Sequence, residues 1–289
     1  MLFRSHLAPQ IGAKFIVLPH FAPGDSCALI EREGVTGAAM VPTMIARIVG
    51  LPNLGDYDLS SLRFVMSGGG MLPYEVGARF EDATGAKIIQ GYGLMDYGAL
   101  ASHALDDPRE MRLRSHGRLM PGTEWRVFDE AGRPLGPNAS GEIHARGPHC
   151  NGGYIGESEA TRSAWRDGFF RTGDVGVMDE QGRVKIIDRK KDMISVSGFK
   201  VFPNEVEDVA MMQGGILECA AIGVPDPHSG EAVKLFAVKK TPDTTAEELR
   251  EFLSSRLAGY KVPRQIEFRA ELPKTNVGKI LRRALRDEP

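Results

Sequence analysis

The stretch from Phe169 to Glu207 constrains the fold more strongly than any other part of the chain. Gln181-Gly182 lies between two β-rich runs and predicts a hairpin turn. Pro203 is followed by interleaved acidic and apolar residues and predicts the start of a helix. A strand therefore leaves one structural unit and a helix opens another, so the charged junction Asp188-Arg189-Lys190-Lys191-Asp192 is a candidate domain hinge.

Apolar runs and helical patterns alternate through the N-terminal part of the chain. Strands are expected at residues 12–20, 35–41, 62–66 and 87–89, and helices at 25–33, from about Thr43 and from Pro73. This βαβ alternation is typical of a mostly parallel sheet, in which we expect the strand at 62–66 to be buried. The helix that begins at Pro73 is expected to end at Gly85. Its apolar face is expected to contain Val76, Phe80 and Ala83.

Two glycine-rich turns follow strands in this region, namely Ser67-Gly68-Gly69-Gly70 and Gln90-Gly91-Tyr92-Gly93. Ligands of open α/β sheets bind at the carboxyl ends of the strands, so both turns are candidate ligand sites. Glycines also form tight turns that hold no ligand, and short glycine patterns are weak signals. For the turn at Ser67 alone, the structural interpretation is favoured.

Short β-rich runs replace the helical pattern between about Gly117 and Asp188, which predicts a small β-barrel-like unit. Beyond the junction the pattern becomes α+β, with strands expected near residues 219–224, 234–239 and 265–268. A helix is expected from Ala246 to Ala258, with a capping box formed by Thr245 and Glu248 and with Gly259 at its end.

The expected fold class is therefore α/β with three units. Residues 1–116 would form part of a mostly parallel sheet, residues 117–188 the barrel-like unit, and residues 189–289 a hinged α+β C-terminal domain.

The composition of the chain limits which partners and sites are expected. The chain has 36 Lys and Arg against 38 Asp and Glu, which gives no support to binding of nucleic acid or an anionic membrane. Its three cysteines are far apart, which predicts neither a disulfide framework nor a zinc site and favours a reducing, cytoplasmic setting. The most apolar window, residues 37–51, is interrupted by Pro42 and Arg47, so no membrane span is expected.

Four residues together suit nucleotide chemistry. Tyr92 offers an aromatic face for a purine, and the Asp174 carboxylate can accept both hydroxyls of a ribose. Arg189 adds a planar donor, and Lys279 lies in a turn bounded by proline and glycine, where its charge could stabilise a developing negative charge. Taken singly, each has a structural interpretation that is more common: a core tyrosine, a turn carboxylate, a surface ion pair and a solvated lysine.

The order of the motifs resembles the C-terminal half of the AMP-forming adenylating enzymes, the superfamily of acyl-CoA and aryl-CoA synthetases. The resemblance covers nearly the whole chain. It rests on these segments: Ser67-Gly68-Gly69, Gly91-Tyr92-Gly93-Leu94, Gly141-Glu142-Ile143, Arg146-Gly147-Pro148, Gly153-Tyr154, Arg171 to Asp174, Asp188 to Asp192, Gly198-Phe199-Lys200, Pro203 to Glu207, and Pro273 to Ile280.

The resemblance implies an acid–CoA ligase that uses ATP, Mg²⁺ and coenzyme A and passes through an acyl-adenylate and AMP. It places the adenine at Gly69 and at Gly91, Tyr92 and Gly93, and the ribose at Asp174 and Arg189. Lys279 would be catalytic in adenylate formation, Lys191 would be the hinge, and Gly198 would line the pantetheine path of coenzyme A during thioester formation.

Two departures from the family pattern are visible. Threonine and glutamate usually follow the tyrosine-glycine pair of the adenine loop, whereas this chain has Met95 and Asp96, so Asp96 is the candidate magnesium ligand. The phosphate loop that grips pyrophosphate is not found in the sequence, and whole members are about twice as long. We therefore expect exposed apolar surface, and either self-association as a homo-oligomer or a missing N-terminal half.

Two other functions stay open. The chain could be a non-catalytic remnant that binds nucleotide, coenzyme A or a protein partner, or it could adenylate an acid for the thiol of a carrier protein. The small-molecule substrate is a carboxylic acid in both catalytic cases.

Overall fold

Three five-stranded sheets organise the chain in the computed structural model, which describes residues 10–275 and 278–287. Helices accompany the first and third sheets, so the α/β fold class expected from the sequence is confirmed. The helices of at least six residues are α1 (Pro23–Glu33), α2 (Pro42–Val49), α3 (Tyr74–Thr84), α4 (Arg109–Arg114), α5 (Ser158–Ala164), α6 (Pro203–Met211), α7 (Ala246–Ser254) and α8 (Arg282–Asp287).

The first sheet combines parallel and antiparallel strands. In spatial order it contains β1 (Gly37–Met40), β2 (Phe64–Ser67), β3 (Lys87–Leu94), β4 (Gly98–Ser102) and β5 (Arg118–Leu119). β1, β2 and β3 pair in parallel, and β4 and β5 continue the sheet antiparallel. A core that includes Cys27, Ile45 and Phe80 packs α1, α2 and α3 against Val65 and Ile88 of the sheet.

The helices around this sheet follow their end signals. Proline occupies the first turn of α1 and of α2, where its missing N–H leaves no hydrogen bond unmade. α1 and α3 end at Gly34 and Gly85, which adopt left-handed conformations with φ of 59° and 71°. The predicted end of α3 at Gly85 is confirmed, but Ala83 is exposed because the buried face is formed by Val76, Gly77 and Phe80 instead.

Two other expectations for this region are wrong. Residues 12–20 form no strand in the described structure, although their composition favours one, because a strand needs a neighbour for its backbone groups. The strand expected at 62–66 begins at Phe64, and only alternate side chains are buried: Val65 is inside, whereas Met66 is 41% exposed. Ala39, beside Met66 on β1, is exposed as well, so one face of the parallel strands is bare.

The second sheet is antiparallel. It contains β6 (Glu124–Phe128), β7 (Gly141–Arg146), β9 (Phe169–Met178) and β10 (Val184–Arg189), with the short β8 (Trp165–Arg166) paired to β9. The hairpin between β9 and β10 turns through Asp179 to Gly182, as the sequence predicted. Trp125, Val127 and Ile143 fill its inner side together with Val184 and Ile186.

The third sheet forms the centre of the α+β unit. It contains β12 (Phe199–Val201), β11 (Ile194–Val196), β14 (Gly230–Lys239), β13 (Ile216–Asp226) and β15 (Gln265–Arg269), the last two flanking β14. One face packs on α6 and α7, and the other packs on Leu272 and on Leu285 of α8. The capping box of Thr245 and Glu248 is present, but α7 ends at Ser254, four residues earlier than expected.

Contacts join the third sheet to the rest of the chain. Met211, at the end of α6, packs against the core of the first sheet. Gly50 lies so close to Leu217 that a side chain at Gly50 would meet Leu217 Cδ1 at 2.9 Å. Lys190 binds Glu142 of β7 through a 2.7 Å contact between Nζ and Oε2, and Lys200 binds Glu130 across 2.5 Å. In this arrangement, the segment that contains Thr275 and Lys279 lies at the edge of the first sheet.

Candidate active site

The carboxyl ends of β1 and β2 form one wall of the site. The turn after β2 contains Gly69, whose φ of 85° is accessible to glycine at little cost. Val41, in the turn after β1, lies beside Gly69, since a side chain at Gly69 would meet Val41 Cγ1 at 3.7 Å. Gly278 packs on Val41 and Met44 in the same way, with both contacts at 3.7 Å. The segment before Lys279 therefore docks where the parallel strands end.

Asp174 and Arg189 are brought together by strand register. The hairpin of β9 and β10 pairs the two residues directly, and Arg189 Nε lies 3.6 Å from Asp174 Oδ1. Thr172 supports Asp174 within β9, because its hydroxyl accepts a hydrogen bond from the Asp174 N–H. Asp174 is buried, whereas Arg189 is exposed. The site thus has a buried carboxylate beside an exposed cation.

Tyr92 reaches Asp174 from the first sheet. Its hydroxyl donates to Asp174 Oδ2 over 2.5 Å. The edges of its ring meet Trp125 and His116, whose ring centroids lie 5.9 and 6.3 Å away. The ring is half-buried, so the remaining open surface is what a purine could contact.

Burial shifts the protonation equilibria of these groups. Loss of water raises the pKa of Asp174, and the hydrogen bond from Tyr92 and the charge of Arg189 oppose that rise. Burial and the Asp174 carboxylate raise the pKa of Tyr92, which keeps the phenol protonated as a donor. Burial lowers the pKa of His116 to about 3, so its ring is neutral and its Nδ1 accepts the Ile186 N–H.

Lys279 is exposed and lies in the field of the same groups. The surrounding protein displaces water and lowers the pKa of its ammonium group, and repulsion by Arg189 and Arg282 lowers it further. Asp174 acts in the opposite direction. Of the predicted segment Pro273 to Ile280, Asn276 and Val277 lie outside the described residues. The structure therefore brings Tyr92, Asp174, Arg189 and Lys279 to one place.

The sequence predicted that Gly91 and Gly93 form a turn after the strand. This prediction is wrong, because both lie within β3 where it pairs with β4. A side chain at Gly93 would approach the Gly98 carbonyl oxygen to 2.5 Å. Glycine is therefore needed for close approach of two strands, and these positions carry Tyr92 into the site between them.

Met95 and Asp96 follow at the tip of this hairpin. The Met95 side chain is 86% exposed. The Tyr154 hydroxyl lies near Asp96, and that carboxylate raises the pKa of Tyr154. Within residues 10–275 and 278–287, no three His, Cys, Asp or Glu residues are grouped to hold a metal ion. Asp96 would be the single carboxylate of a magnesium site, and Met95 has no oxygen to add.

A buried ionic network surrounds the junction. Arg282 donates to both oxygens of Glu207 and to Asn204 Oδ1, and lies 4.0 Å from Asp188. Asp188 in turn accepts the Asn204 N–H, an otherwise unpaired donor of the first turn of α6, over 2.9 Å. Lys191 itself is exposed in a short 3₁₀ turn (Lys190–Asp192). The sequence analysis missed this network.

A sequence signal for the network does exist. Arg282, Leu285 and Arg286 have the spacing of one helical face, and this face points inward, with Leu285 buried and Arg286 bound to Asp192 over 2.8 Å. Arg283, on the opposite face, is 90% exposed.

Gly198 has a different set of neighbours. Ser197 and Gly198 have φ of 50° and 83°, the signs of the hairpin turn that joins β11 to β12. Phe199, exposed beside them, stacks on Tyr260 with ring centroids 4.6 Å apart. In this arrangement the hairpin has contacts with Tyr260 and Glu130, and no contact with Tyr92 or Asp174 is found among the described residues.

The mixed α/β fold and the residues gathered at Asp174 fit the class of adenylating enzymes, and comparison with known proteins gives the family. The family model of the AMP-binding enzymes matches residues 6–155, and the model of the AMP-binding enzyme C-terminal domain matches residues 205–279. The chain belongs to the AMP-binding enzyme family. The resemblance found in the sequence is confirmed.

Individual relatives cover the chain almost completely. A long-chain-fatty-acid–CoA ligase of Salmonella typhimurium is 44% identical over 285 residues, which are 96% of this chain and 50% of that protein. An anthranilate CoA ligase solved in complex with anthranoyl-AMP has a TM-score of 0.87 and 30% identity over 95% of this chain and 54% of that one. An amide bond synthetase from Marinactinospora thermotolerans has a TM-score of 0.84 and 34% identity over 93% of this chain and 55% of that one. This chain spans about half the length of these relatives.

Proposed function

We propose that the chain carries the C-terminal half of the catalytic machinery of an AMP-forming acid–CoA ligase. In this reaction a carboxylate and ATP give an acyl-adenylate and pyrophosphate, and coenzyme A then gives the thioester and AMP. The observation that carries the proposal is the convergence of Tyr92 from the first sheet, Asp174 and Arg189 from the second sheet, and Lys279 from a loop.

The four residues take different parts in binding and catalysis. Asp174 accepts hydrogen bonds from the ribose hydroxyls, and Arg189 donates beside it. Tyr92 fixes Asp174 from below and presents its open surface to the adenine, next to Gly69, Gly91 and Gly93. Lys279 binds the substrate carboxylate and the α-phosphate, and stabilises the negative charge that increases in the transition state.

The second half-reaction uses a rotated C-terminal unit. In this proposal residues 1–116 and 117–188 stay fixed, and residues 189–289 turn about Lys191 after the adenylate has formed. This rotation moves Lys279 away from the adenylation site and brings the backbone at Gly198 to the pantetheine of coenzyme A. The exposure of Lys191, and the open surroundings of Gly198, where an added side chain would meet nothing within 4 Å, support these roles.

The first acids to test are long-chain fatty acids. The curated relatives of this chain include long-chain-fatty-acid–CoA ligases of several bacteria. Among residues 10–275 and 278–287, none of the helices has the length and hydropathy of a membrane span. A cytoplasmic setting is part of the proposal.

One observation favours the second candidate, a nucleotide-binding protein without ligase activity. Met95 stands where a hydroxyl would meet the phosphate, and its thioether is 86% exposed without an oxygen to offer. Asp96 is also shorter than glutamate by one methylene and already interacts with the Tyr154 hydroxyl. Both features weaken the grip on phosphate and magnesium while leaving the nucleoside contacts at Asp174 intact.

Calorimetric titration of the chain with ATP and Mg²⁺ is the first experiment. Micromolar affinity, about −8 kcal/mol, is expected from the nucleoside contacts. Asp174→Ala should weaken it at least tenfold, whereas Asp82→Ala, which removes a carboxylate exposed on α3, should not. Release of pyrophosphate with a series of fatty acids of increasing length then separates the two candidates. Binding without pyrophosphate release, also after the N-terminal half of a relative is added, would reject the ligase.

A further inference from the structure

The segment that carries Lys279 is a small hairpin fixed to the third sheet. We define the lysine loop as residues 273–281, of which 276 and 277 are not described. Leu281 N–H donates to the Pro273 carbonyl over 2.8 Å, and Thr275 N–H donates to the Lys279 carbonyl over 2.8 Å. The Lys274 ammonium binds Glu218 of β13 across 2.6 Å, and both side chains are largely buried. The base of the loop therefore moves with the C-terminal unit.

The peptide bond that precedes Lys279 is held on both sides. Its N–H, that of Lys279, donates to Thr275 Oγ1 over 3.1 Å. Its carbonyl oxygen, that of Gly278, accepts the hydroxyl hydrogen of Thr43 over 2.5 Å. A peptide unit is planar, so these two bonds fix the position of Lys279 Cα, and the bond from Thr275 N–H to the Lys279 carbonyl restrains the backbone on its other side.

The two bonds differ in origin. Thr275 belongs to the lysine loop itself and accompanies it in any orientation of the C-terminal unit. Thr43 lies in the first turn of α2, at the end of β1, in the opposite wall of the cleft. The bond from Thr43 to Gly278 therefore exists only while the lysine loop is docked on the first sheet. Gly278 has a φ of 81°, so glycine makes this approach without backbone strain.

We propose that Thr43 is a positioning residue that latches the lysine loop in the arrangement for adenylate formation, an inference that rests on the proposed ligase function. Its hydroxyl acts through the Gly278 carbonyl and does not touch the substrate. The latch aims Lys279 at the cleft and breaks when the C-terminal unit rotates. Thr43 thus favours the first half-reaction and has no contact with this loop in the second.

Hydrogen–deuterium exchange tests the contact without reference to catalysis. Thr43→Val keeps the shape of the side chain and removes the donor, whereas Thr43→Ser keeps the donor. Loss of one hydrogen bond should make amides of the lysine loop exchange roughly three- to tenfold faster in Thr43→Val. Thr43→Ser should exchange like the parent. Ser61→Ala is a matched control, because Ser61 Oγ also donates to a backbone carbonyl, that of Val35, but within the first unit.

The half-reactions test the positioning role. Adenylation is followed by pyrophosphate release from ATP, Mg²⁺ and a long-chain fatty acid, and thioester formation is followed from supplied acyl-adenylate and coenzyme A. Thr43→Val should lower the adenylation rate roughly three- to tenfold, with little change in the KM for ATP. Thr43→Ser should restore it, and thioester formation should be equal in all variants.

The outcomes separate the latch from the ligase proposal. Exchange that is equal in Thr43→Val and the parent overturns the latch whether or not the protein is a ligase. Faster exchange with unchanged adenylation, or an equal loss in both half-reactions, overturns the positioning role. Faster exchange in a protein that forms no adenylate, also after the N-terminal half of a relative is added, leaves the contact established and rejects the proposed function.

Discussion

Lys279 is exposed, yet its ammonium group is influenced by Arg189, Arg282 and Asp174. Removal of water and repulsion by the two arginines lower its pKa. A substrate carboxylate and a phosphate entering this cleft would reverse that balance, because they supply negative charge where cations are crowded. A site with this arrangement of charge is complementary to anionic groups.

Lys279→Ala is expected to abolish adenylate formation, with a rate loss of at least about a hundredfold, because the transition state loses a positioned charge. Thioester formation from supplied acyl-adenylate should persist. Pyrophosphate release and thioester formation, measured separately, check the prediction. Lys87→Ala, at an exposed lysine of β3, is the control. Equal damage to both half-reactions by Lys279→Ala would contradict the proposed role.

Met95→Thr is expected to raise the adenylation rate about tenfold, since a hydroxyl bond to a charged phosphate is worth about 1.5 kcal/mol or more. The 86% exposure of Met95 means that the change costs no packing. Met95→Val has the same shape as Met95→Thr without the hydroxyl and should stay at the parental rate. Equal rates in the two variants would show that a hydroxyl at this position does not contact the phosphate.

Asp208→Asn is expected to make stability less dependent on pH. Burial and repulsion by Glu207 raise the pKa of Asp208 to about 7. The folded state thus holds its proton more tightly than the unfolded chain, so the stability contributed by Asp208 is complete below about pH 4 and lost as the pH rises to 7. Urea unfolding at a series of pH values should show Asp208→Asn gaining on the parent between pH 4 and 7. A constant difference would contradict the shift.

α8 shows how a short element can decide the position of a domain. Its inner face places Arg282 among Glu207, Asp188 and Asp192, and Arg286 adds a second bond to Asp192. Asp188 precedes the junction, whereas Glu207 follows it. The helix therefore ties the end of the second sheet to α6 across the proposed hinge.

Arg282→Ala is expected to lower the free energy of unfolding by about 3 kcal/mol, because it leaves several buried carboxylates without their cation. The Arg282 side chain is only 19% exposed. Arg283→Ala, at a 90% exposed side chain paired with Asp287, should change stability by less than about 0.5 kcal/mol. Urea denaturation of both variants measures the difference. Similar losses of stability in the two variants would show that the ionic network does not stabilise the fold more than a surface ion pair does.

The whole molecule presents an apolar surface that isolated proteins rarely leave open. Parallel strands usually have both faces covered, but Ala39 and Met66 stand exposed on β1 and β2. Ile11 and Val17 are also exposed, at 70% and 64%. A second layer, from another chain or from the remainder of a longer protein, would cover this face.

Self-association of the 289-residue chain is therefore expected in sedimentation experiments, increasing with concentration. Met66→Lys should weaken it, because it places a charge on the bare face. Met212→Lys, at a 45% exposed methionine after α6, is the matched control and should leave association unchanged. A monodisperse monomer at all concentrations would contradict the expectation.

Much of the local structure could be predicted because its signals lie close together in sequence. Pro203 starts α6, Thr245 and Glu248 cap α7, and the turn before Arg183 pairs β9 with β10. That pairing alone places Arg189 opposite Asp174. Gly85 ends α3 for the same local reason, whereas α7 ends at Ser254 and Gly259 instead begins a separate 3₁₀ turn (Gly259–Lys261).

The amino-acid sequence by itself therefore determined the fold class and the motif residues, since turn, cap and register depend on neighbouring residues. Only the tertiary structure decided which of them meet. The Tyr92 hydroxyl binds Asp174, which is 82 residues away in the sequence, and the Thr43 hydroxyl binds the carbonyl of Gly278, which is 235 residues away. Such contacts depend on how separate sheets pack, and no local pattern specifies the distance between two packed surfaces.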